Sequence, residues 1–269
     1  MARQRMGQHF LSDSAWRKRI LETLPRGAND VWVEIGAGHG EMTQLLAAPG
    51  RRVLAIEADA RLAESLRHKT LARPSDWPGV EVLTGNVLSV DFATIVSGRF
   101  RIYGNLPYYI TSPILHHLFD FAGRIDSIHV VIQFEVAARI VARPGHRAYG
   151  YLSAACQFYT RPEIVLRIPP GAFRPPPKVT SALLKMSLPG EGAALAIAEE
   201  MRFLAFVQAC FSQKRKTLRN NLRPVASDEL LHAALAAILL PLDARAEQLS
   251  LPQFAALYKH LRGDSAAGL

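Results

Sequence analysis

Val31-Trp32-Val33-Glu34-Ile35 is an apolar run of strand length that leads directly into Gly36-Ala37-Gly38-His39-Gly40, after which Met42, Leu45 and Leu46 recur at helical spacing. A buried strand, a turn that only glycines enter freely, and a helix together make one strand-to-helix unit, and few folds begin that way. The pattern repeats along the chain. Strands are expected over 52–57, 80–83, 99–103 and 127–133, with helices over 60–70, 112–121, 134–141 and 151–158. Two later strands, 163–168 and 180–187, flank the Pro-rich stretch 169–177, and the last of them is open to antiparallel pairing. Seven strands alternating with helices predict an α/β fold, with a mainly parallel sheet covered on both faces.

Pro189-Gly190-Glu191-Gly192 reads as a linker. Beyond it, helical patterns over 193–211, 214–221, 227–239 and 252–262 predict a small helical bundle, so the expected division is 1–188 and 189–269. The 32 basic against 23 acidic side chains leave a net charge of +9, which favours an anionic partner. Cys156 and Cys210 lie in apolar helical patterns and are expected to be reduced core residues, and no Cys/His cluster suggests a metal. With no signal-peptide core and no apolar run of membrane length, a cytoplasmic protein that does not enter the membrane is expected.

Three positions follow strand candidates and carry nucleoside chemistry. The Gly36 and Gly38 turn lets a ligand approach the backbone. Glu57 closes the second strand, where an acid accepts ribose hydroxyls. Asn86 follows the third with an amide that pairs with an adenine edge. After the fourth, Asn105-Leu106-Pro107-Tyr108 places an amide, a restricted backbone and an aromatic ring together, a holder for a flat amino-bearing base. Further on, residues 201–223 contain Arg202, Lys214, Arg215, Lys216, Arg219 and Arg223 and no acid. On a helix starting near Lys214, Arg215 and Arg219 share a face suited to phosphates.

These blocks resemble the ribosomal RNA adenine dimethyltransferases, a family of class I, Rossmann-like S-adenosylmethionine-dependent methyltransferases. The resemblance runs through Gly7-Gln8-His9-Phe10-Leu11, the Gly36 loop, Asn105-Leu106-Pro107-Tyr108, Gln133 to Arg139, Tyr149 to Ser153, Phe173-Arg174-Pro175-Pro176-Pro177-Lys178-Val179, and Phe211 to Leu218. Ala37 stands where the bacterial branch often has Pro, and Asn86 where Asp is usual. The resemblance implies that S-adenosylmethionine, without a metal, dimethylates N6 of two adjacent adenosines near the 3′ end of 16S rRNA in an assembling small subunit. It further implies that His9 and Leu11 enclose the cofactor with Gly36, Gly38, Glu57, Asn86 and Asn105.

For the chemistry, Asn105 Oδ1 and the Leu106 carbonyl are expected to accept the amine hydrogens, and Tyr108 and Phe173 to stack on opposite faces of the adenine. Arg139, Arg143, Arg147 and Lys178 are expected to extend an RNA surface made by Lys214, Arg215, Lys216, Arg219 and Arg223, with Arg3 and Arg5 on a basic arm. A monomer is expected. Two alternatives stay open: a 23S rRNA adenine methyltransferase, against which Leu106 leans, and an RNA-binding assembly factor whose cofactor pocket is only structural.

Overall fold

The structure, a computed structural model, describes residues 9–27 and 30–263. The expected basic arm with Arg3 and Arg5, and Gly7 and Gln8, lie outside the described residues.

Nine strands form among the described residues: β1 (Phe10–Leu11), β2 (Val31–Ile35), β3 (Arg52–Glu57), β4 (Val80–Thr84), β5 (Phe100–Asn105), β6 (Ile125–Gln133), β7 (Arg161–Ile168), β8 (Phe173–Arg174) and β9 (Ser181–Ser187). Eleven α-helices are described: α1 (Ser14–Thr23), α2 (Glu41–Leu46), α3 (Ala60–Ala72), α4 (Phe92–Ile95), α5 (Thr111–Phe119), α6 (Phe134–Ile140), α7 (Tyr151–Tyr159), α8 (Glu200–Cys210), α9 (Leu218–Leu222), α10 (Asp228–Ala237) and α11 (Leu251–Gly263). Contacts divide the chain into two compact units, Met1–Ala137 with Pro162–Leu188, and Ala138–Arg161 with Pro189–Leu269.

In the first unit the seven expected strands form one sheet in the order β4-β3-β2-β5-β6-β9-β7. Pairing is parallel from β4 through to β6, and β9 runs antiparallel to β6. The chain moves outward from β2 to β3 and β4, then returns to the other side of β2 as β5. That reversal opens a crevice at the carboxyl ends of β2 and β5, where such sheets bind ligands. Local chemistry sets the helix starts. Asp13 Oδ1 accepts the Ala15 amide at 2.8 Å ahead of α1, and Asp59 Oδ1 accepts the Arg61 amide at 2.9 Å ahead of α3.

A small antiparallel ladder, β1 with β8, pairs Phe10 with Arg174 and Leu11 with Phe173. Leu11 and Phe173, at 7% and 1% exposure, join Ile20, Trp32 and Tyr103 in a core on one face of the large sheet.

The second unit includes residues 138–161, which the sequence reading assigned to the first domain. Tyr149, Ala154 and Phe158 pack in one core with Phe203, Val207, Leu235 and Phe254, so burial groups α7 with the carboxy-terminal helices. The expected 189–192 linker is a close-packed crossing. A Cβ on Gly190 would stand 2.3 Å from the Thr160 nitrogen, and one on Gly192 would stand 2.7 Å from the Phe158 ring. These glycines provide closeness rather than looseness.

Two expected helices differ as well. Residues 193–211 form a short 3-10 turn, Glu191–Ala194, followed by the separate α8, while 214–217 is a turn and only Leu218–Leu222 is helical. Thr217 caps α9 through Oγ1 to the Asn220 amide at 3.3 Å, and that cap starts the helix after the basic residues instead of before them.

Candidate active site

The crevice in the first unit is a pocket of about 920 Å³, counting its open mouth. Its walls come from strand ends and the turns that follow: Ile35 and Gly36 at the end of β2, Ile56 to Ala58 at the end of β3, Gly85 to Val87 after β4, and Asn105 to Ile110 at the end of β5, with Ile114 of α5. His9 and Phe10 cover one side.

Gly36, Gly38 and Gly40 have φ of 76°, 58° and 88°, left-handed backbone that side chains avoid. This conformation lets the loop turn back toward β3. Glu57 is 4% exposed, and each of its oxygens accepts a backbone amide, Oε2 from Gly38 and Oε1 from Asp59, both at 2.8 Å. Two fixed amides hold the carboxylate at the pocket wall, and each oxygen keeps a lone pair for a ligand hydroxyl. Gly38 itself does not line the pocket; it stands behind Glu57.

Asn86 is exposed at the pocket rim, and its Oδ1 accepts the Leu88 amide at 3.1 Å as the cap of a 3-10 turn. One of the two lone pairs of the expected acceptor is therefore engaged. The turn uses one lone pair of the acceptor, and Nδ2 with its two donors remains unengaged.

Asn105 is the last residue of β5 and pairs with Val131. Its Nδ2 donates to the His9 carbonyl at 2.7 Å. Leu106 follows, 2% exposed, with its amide donated to Val131 O at 3.0 Å. The Tyr108 hydroxyl and Ser181 Oγ are 2.6 Å apart, which fixes the ring at the pocket wall 5.6 Å from the His9 ring. Burial raises the Tyr108 pKa, the Ser181 bond opposing, so the phenol stays protonated. His9 Nδ1 meets the Pro175 carbonyl at 2.8 Å.

Besides Gly38, two expected site residues are not brought to the pocket. Phe173 is 1% exposed within the sheet core and cannot offer a face to a base in this arrangement, because β1 pairing turns it inward. Leu11 is held in the same core for the same reason.

A buried row beneath the pocket was not singled out from the sequence. Glu34, Tyr103 and His129 stand in register across β2, β5 and β6. Glu34 Oε2, the Tyr103 hydroxyl and His129 Nδ1 lack hydrogen-bond partners among the described residues. Burial pushes the Glu34 carboxyl up to about 8, helped by the Glu41 and Glu57 charges and opposed by the Thr43 hydroxyl. Burial, with Lys185 and Arg101, pulls His129 down to about 4. Tyr109 and Ser181 were also missed. A mostly apolar strand does not reveal which polar position faces a partner 73 residues away.

In the second unit the basic stretch is partly neutralised by acids outside it. Arg219 is bidentate to Asp228, Nε to Oδ1 at 3.0 Å and Nη2 to Oδ2 at 2.8 Å, and Arg202 pairs with Glu199 at 2.8 Å. The expected Arg215 and Arg219 helical face does not form, because residue 215 precedes α9. Lys214 donates to the Arg147 carbonyl at 3.3 Å, bringing those two loops together. Arg143, Arg147, Arg215, Lys216 and Arg223 are exposed, as is Arg139 at the end of α6. Lys178, exposed, belongs to the first unit. Among the described residues no group of three His, Cys, Asp or Glu side chains is placed to hold a metal, and no helix is long and apolar enough to cross a membrane.

The sheet order, the left-handed glycine turn and the acid closing the next strand define a class I, Rossmann-like methyltransferase with a carboxy-terminal helical region. A dimethyladenosine transferase from Plasmodium falciparum superposes with a TM-score of 0.77 at 23% identity, covering 96% of this chain and 98% of that one. The 23S rRNA methyltransferase ErmE gives 0.71 at 27% identity, covering 94% and 99%. In sequence, the ribosomal RNA small subunit methyltransferase A of Koribacter versatilis is 41% identical over 272 residues, 96% of this chain and 94% of the relative. Its namesake in Xanthomonas campestris is 39% identical over 254 residues, 94% of each. Residues 1–262 match the family described as ribosomal RNA adenine dimethylase. The chain belongs to that family and is a methyltransferase.

Proposed function

We propose that this enzyme transfers methyl groups from S-adenosylmethionine to N6 of two adjacent adenosines near the 3′ end of 16S rRNA, during small-subunit maturation. The observation that carries this reading is the fixed pair of polar groups lining one pocket, Glu57 held by two backbone amides and Asn105 held by the His9 carbonyl. The small-subunit substrate is preferred over 23S rRNA because relatives at 41% and 39% identity carry the small-subunit name, against 27% for ErmE.

The residues fit the cofactor. Glu57 has a free lone pair on each oxygen for ribose hydroxyls, Asn86 Nδ2 is a donor for a purine ring nitrogen, and the Gly36 backbone is open at the wall. When bound, S-adenosylmethionine supplies a methyl group made electrophilic by its sulfonium. The chain's own task is to present the amine. Asn105 Oδ1 and the Leu106 carbonyl accept the two N6 hydrogens, which draws the lone pair out of the ring and stabilises the positive charge that develops on nitrogen. Tyr108 stacks on the base, and the proton leaves the methylated amine to water. After one transfer a single hydrogen remains, and a neutral amide with a carbonyl tolerates a methyl where a donor had been. Orientation of this kind supplies several kcal/mol of the barrier.

The exposed Arg143, Arg147, Arg215, Lys216 and Arg223 bind RNA phosphates in this reading, with Arg139 and Lys178 adding to them. The enzyme acts as a cytoplasmic monomer on the assembling subunit.

The test is mass analysis of digested rRNA after incubating the protein and S-adenosylmethionine with unmodified small-subunit particles. Adjacent N6,N6-dimethyladenosines near the 3′ end are expected. Modification of 23S rRNA instead, or cofactor binding without methylation of either, would overturn the assignment.

A further inference from the structure

Tyr108 and Tyr109 are consecutive residues of one 3-10 turn, Tyr108–Ile110, and have opposite fates. Successive side chains on such a turn point about 120° apart. Tyr108 is half-buried and tied through its hydroxyl to Ser181, whereas Tyr109 lines the same pocket while leaving 71% of its surface to solvent. Among the described residues Tyr109 has no hydrogen bond or ring contact. An aromatic ring without a partner in the lining of a binding pocket is free to take one face of a ligand.

The other aromatic expected near the base, Phe173, is 1% exposed in the core. The turn itself is anchored, since Ile110 N–H donates to the Pro107 carbonyl at 3.2 Å and Thr111 Oγ1 to the same oxygen at 3.3 Å. The ring is therefore presented from a fixed backbone, which lowers the entropy lost on stacking.

We infer that Tyr109 is a stacking platform for the base of a nucleotide next to the target adenosine, a subsite in the same pocket beside the place of the adenine. The inference rests on the rRNA-adenine reading above. A single strand that delivers one base to Tyr108 brings its neighbour to the rim, and every base has a π-face for Tyr109 to meet. The platform is indifferent to base identity, so it adds affinity and register and leaves selection to the pocket.

The test uses the full chain and its RNA particle, with 2-aminopurine substituted in turn at the position 5′ and the position 3′ of the target. Quenching on protein binding is expected at one of them, lost in Tyr109→Ala and Tyr109→Leu and kept in Tyr109→Phe. Tyr109→Ala should raise KM for RNA about tenfold, a stacking loss of about 1.4 kcal/mol. Most of the effect should lie in KM rather than kcat, with S-adenosylmethionine affinity unchanged. Quenching at neither position, or a Leu variant equal to the Phe variant, overturns the platform. Absence of methylation by the unsubstituted enzyme would instead count against the rRNA-adenine reading, so the two failures are distinguishable.

Discussion

The Asn105 side chain donates through Nδ2 to the backbone carbonyl of His9 at 2.7 Å, a bond between residues 96 positions apart. A carbonyl can only accept, so the amide orientation is decided, and Oδ1 is the atom Asn105 offers the pocket that it lines. The same bond ties the strand that covers the pocket to the end of β5.

Asn105→Ala removes both functions without opening the core, because the residue is only partly buried. Single-turnover methylation should fall on the order of 10² to 10³-fold, as when one preorganised polar group is deleted from a transition-state site, with the melting temperature little changed. Asn105→Asp cannot donate to His9, so it should weaken cofactor binding in calorimetry as well. An alanine variant within threefold of the parent rate would remove Asn105 from the chemistry.

Glu57→Gln replaces a carboxylate that satisfies two amides with a group whose NH2 must face one of them. An unsatisfied buried donor costs roughly 1 to 3 kcal/mol, and the proposed ribose contact is lost with it. Calorimetric titration should show S-adenosylmethionine bound at least about tenfold more weakly, with RNA affinity retained. Unchanged cofactor affinity would place the ribose elsewhere.

Glu34 makes stability depend on pH in an unusual direction. Its folded-state pKa of about 8 lies above the ordinary 4.5, chiefly through burial, so between those values the folded protein holds a proton that the unfolded chain has released. Stability is therefore lost as pH rises through this window and the penalty is complete above about 8. Glu34→Gln should be the more stable variant at pH 8 and should lose that advantage toward pH 5, measured as urea midpoints across the range. Parallel profiles for the two proteins would show that Glu34 does not titrate in the window.

Arg215 and Arg219 should behave differently in RNA binding despite their spacing. Arg219 is engaged by both oxygens of Asp228, while Arg215 is exposed. The magnitude of the salt slope of log K should drop by roughly one unit or less for Arg215→Ala, and similarly for Lys216→Ala, but hardly for Arg219→Ala. An equal loss from Arg219→Ala would mean that RNA displaces Asp228.

The sequence by itself determined the seven strands of the large sheet and most of the helices between them, though not α4 or the short β1 and β8. Apolar run length, helical spacing and the glycine turn are local properties, legible without knowing what each element meets. It also marked Glu57, Asn86 and Asn105, since a polar residue just past an apolar strand has few local reasons to be there. Only the tertiary structure decided what those atoms do: Asn86 gives its oxygen to a turn, Asn105 its nitrogen to His9, and Glu57 both oxygens to backbone amides. It also turned Phe173 and Leu11 into the core through a two-residue ladder joining segments about 160 residues apart, and it neutralised Arg219 with an acid beyond the basic stretch. Pairings of that kind depend on chain segments meeting in space, and neither charge counts nor periodicity record which segments meet.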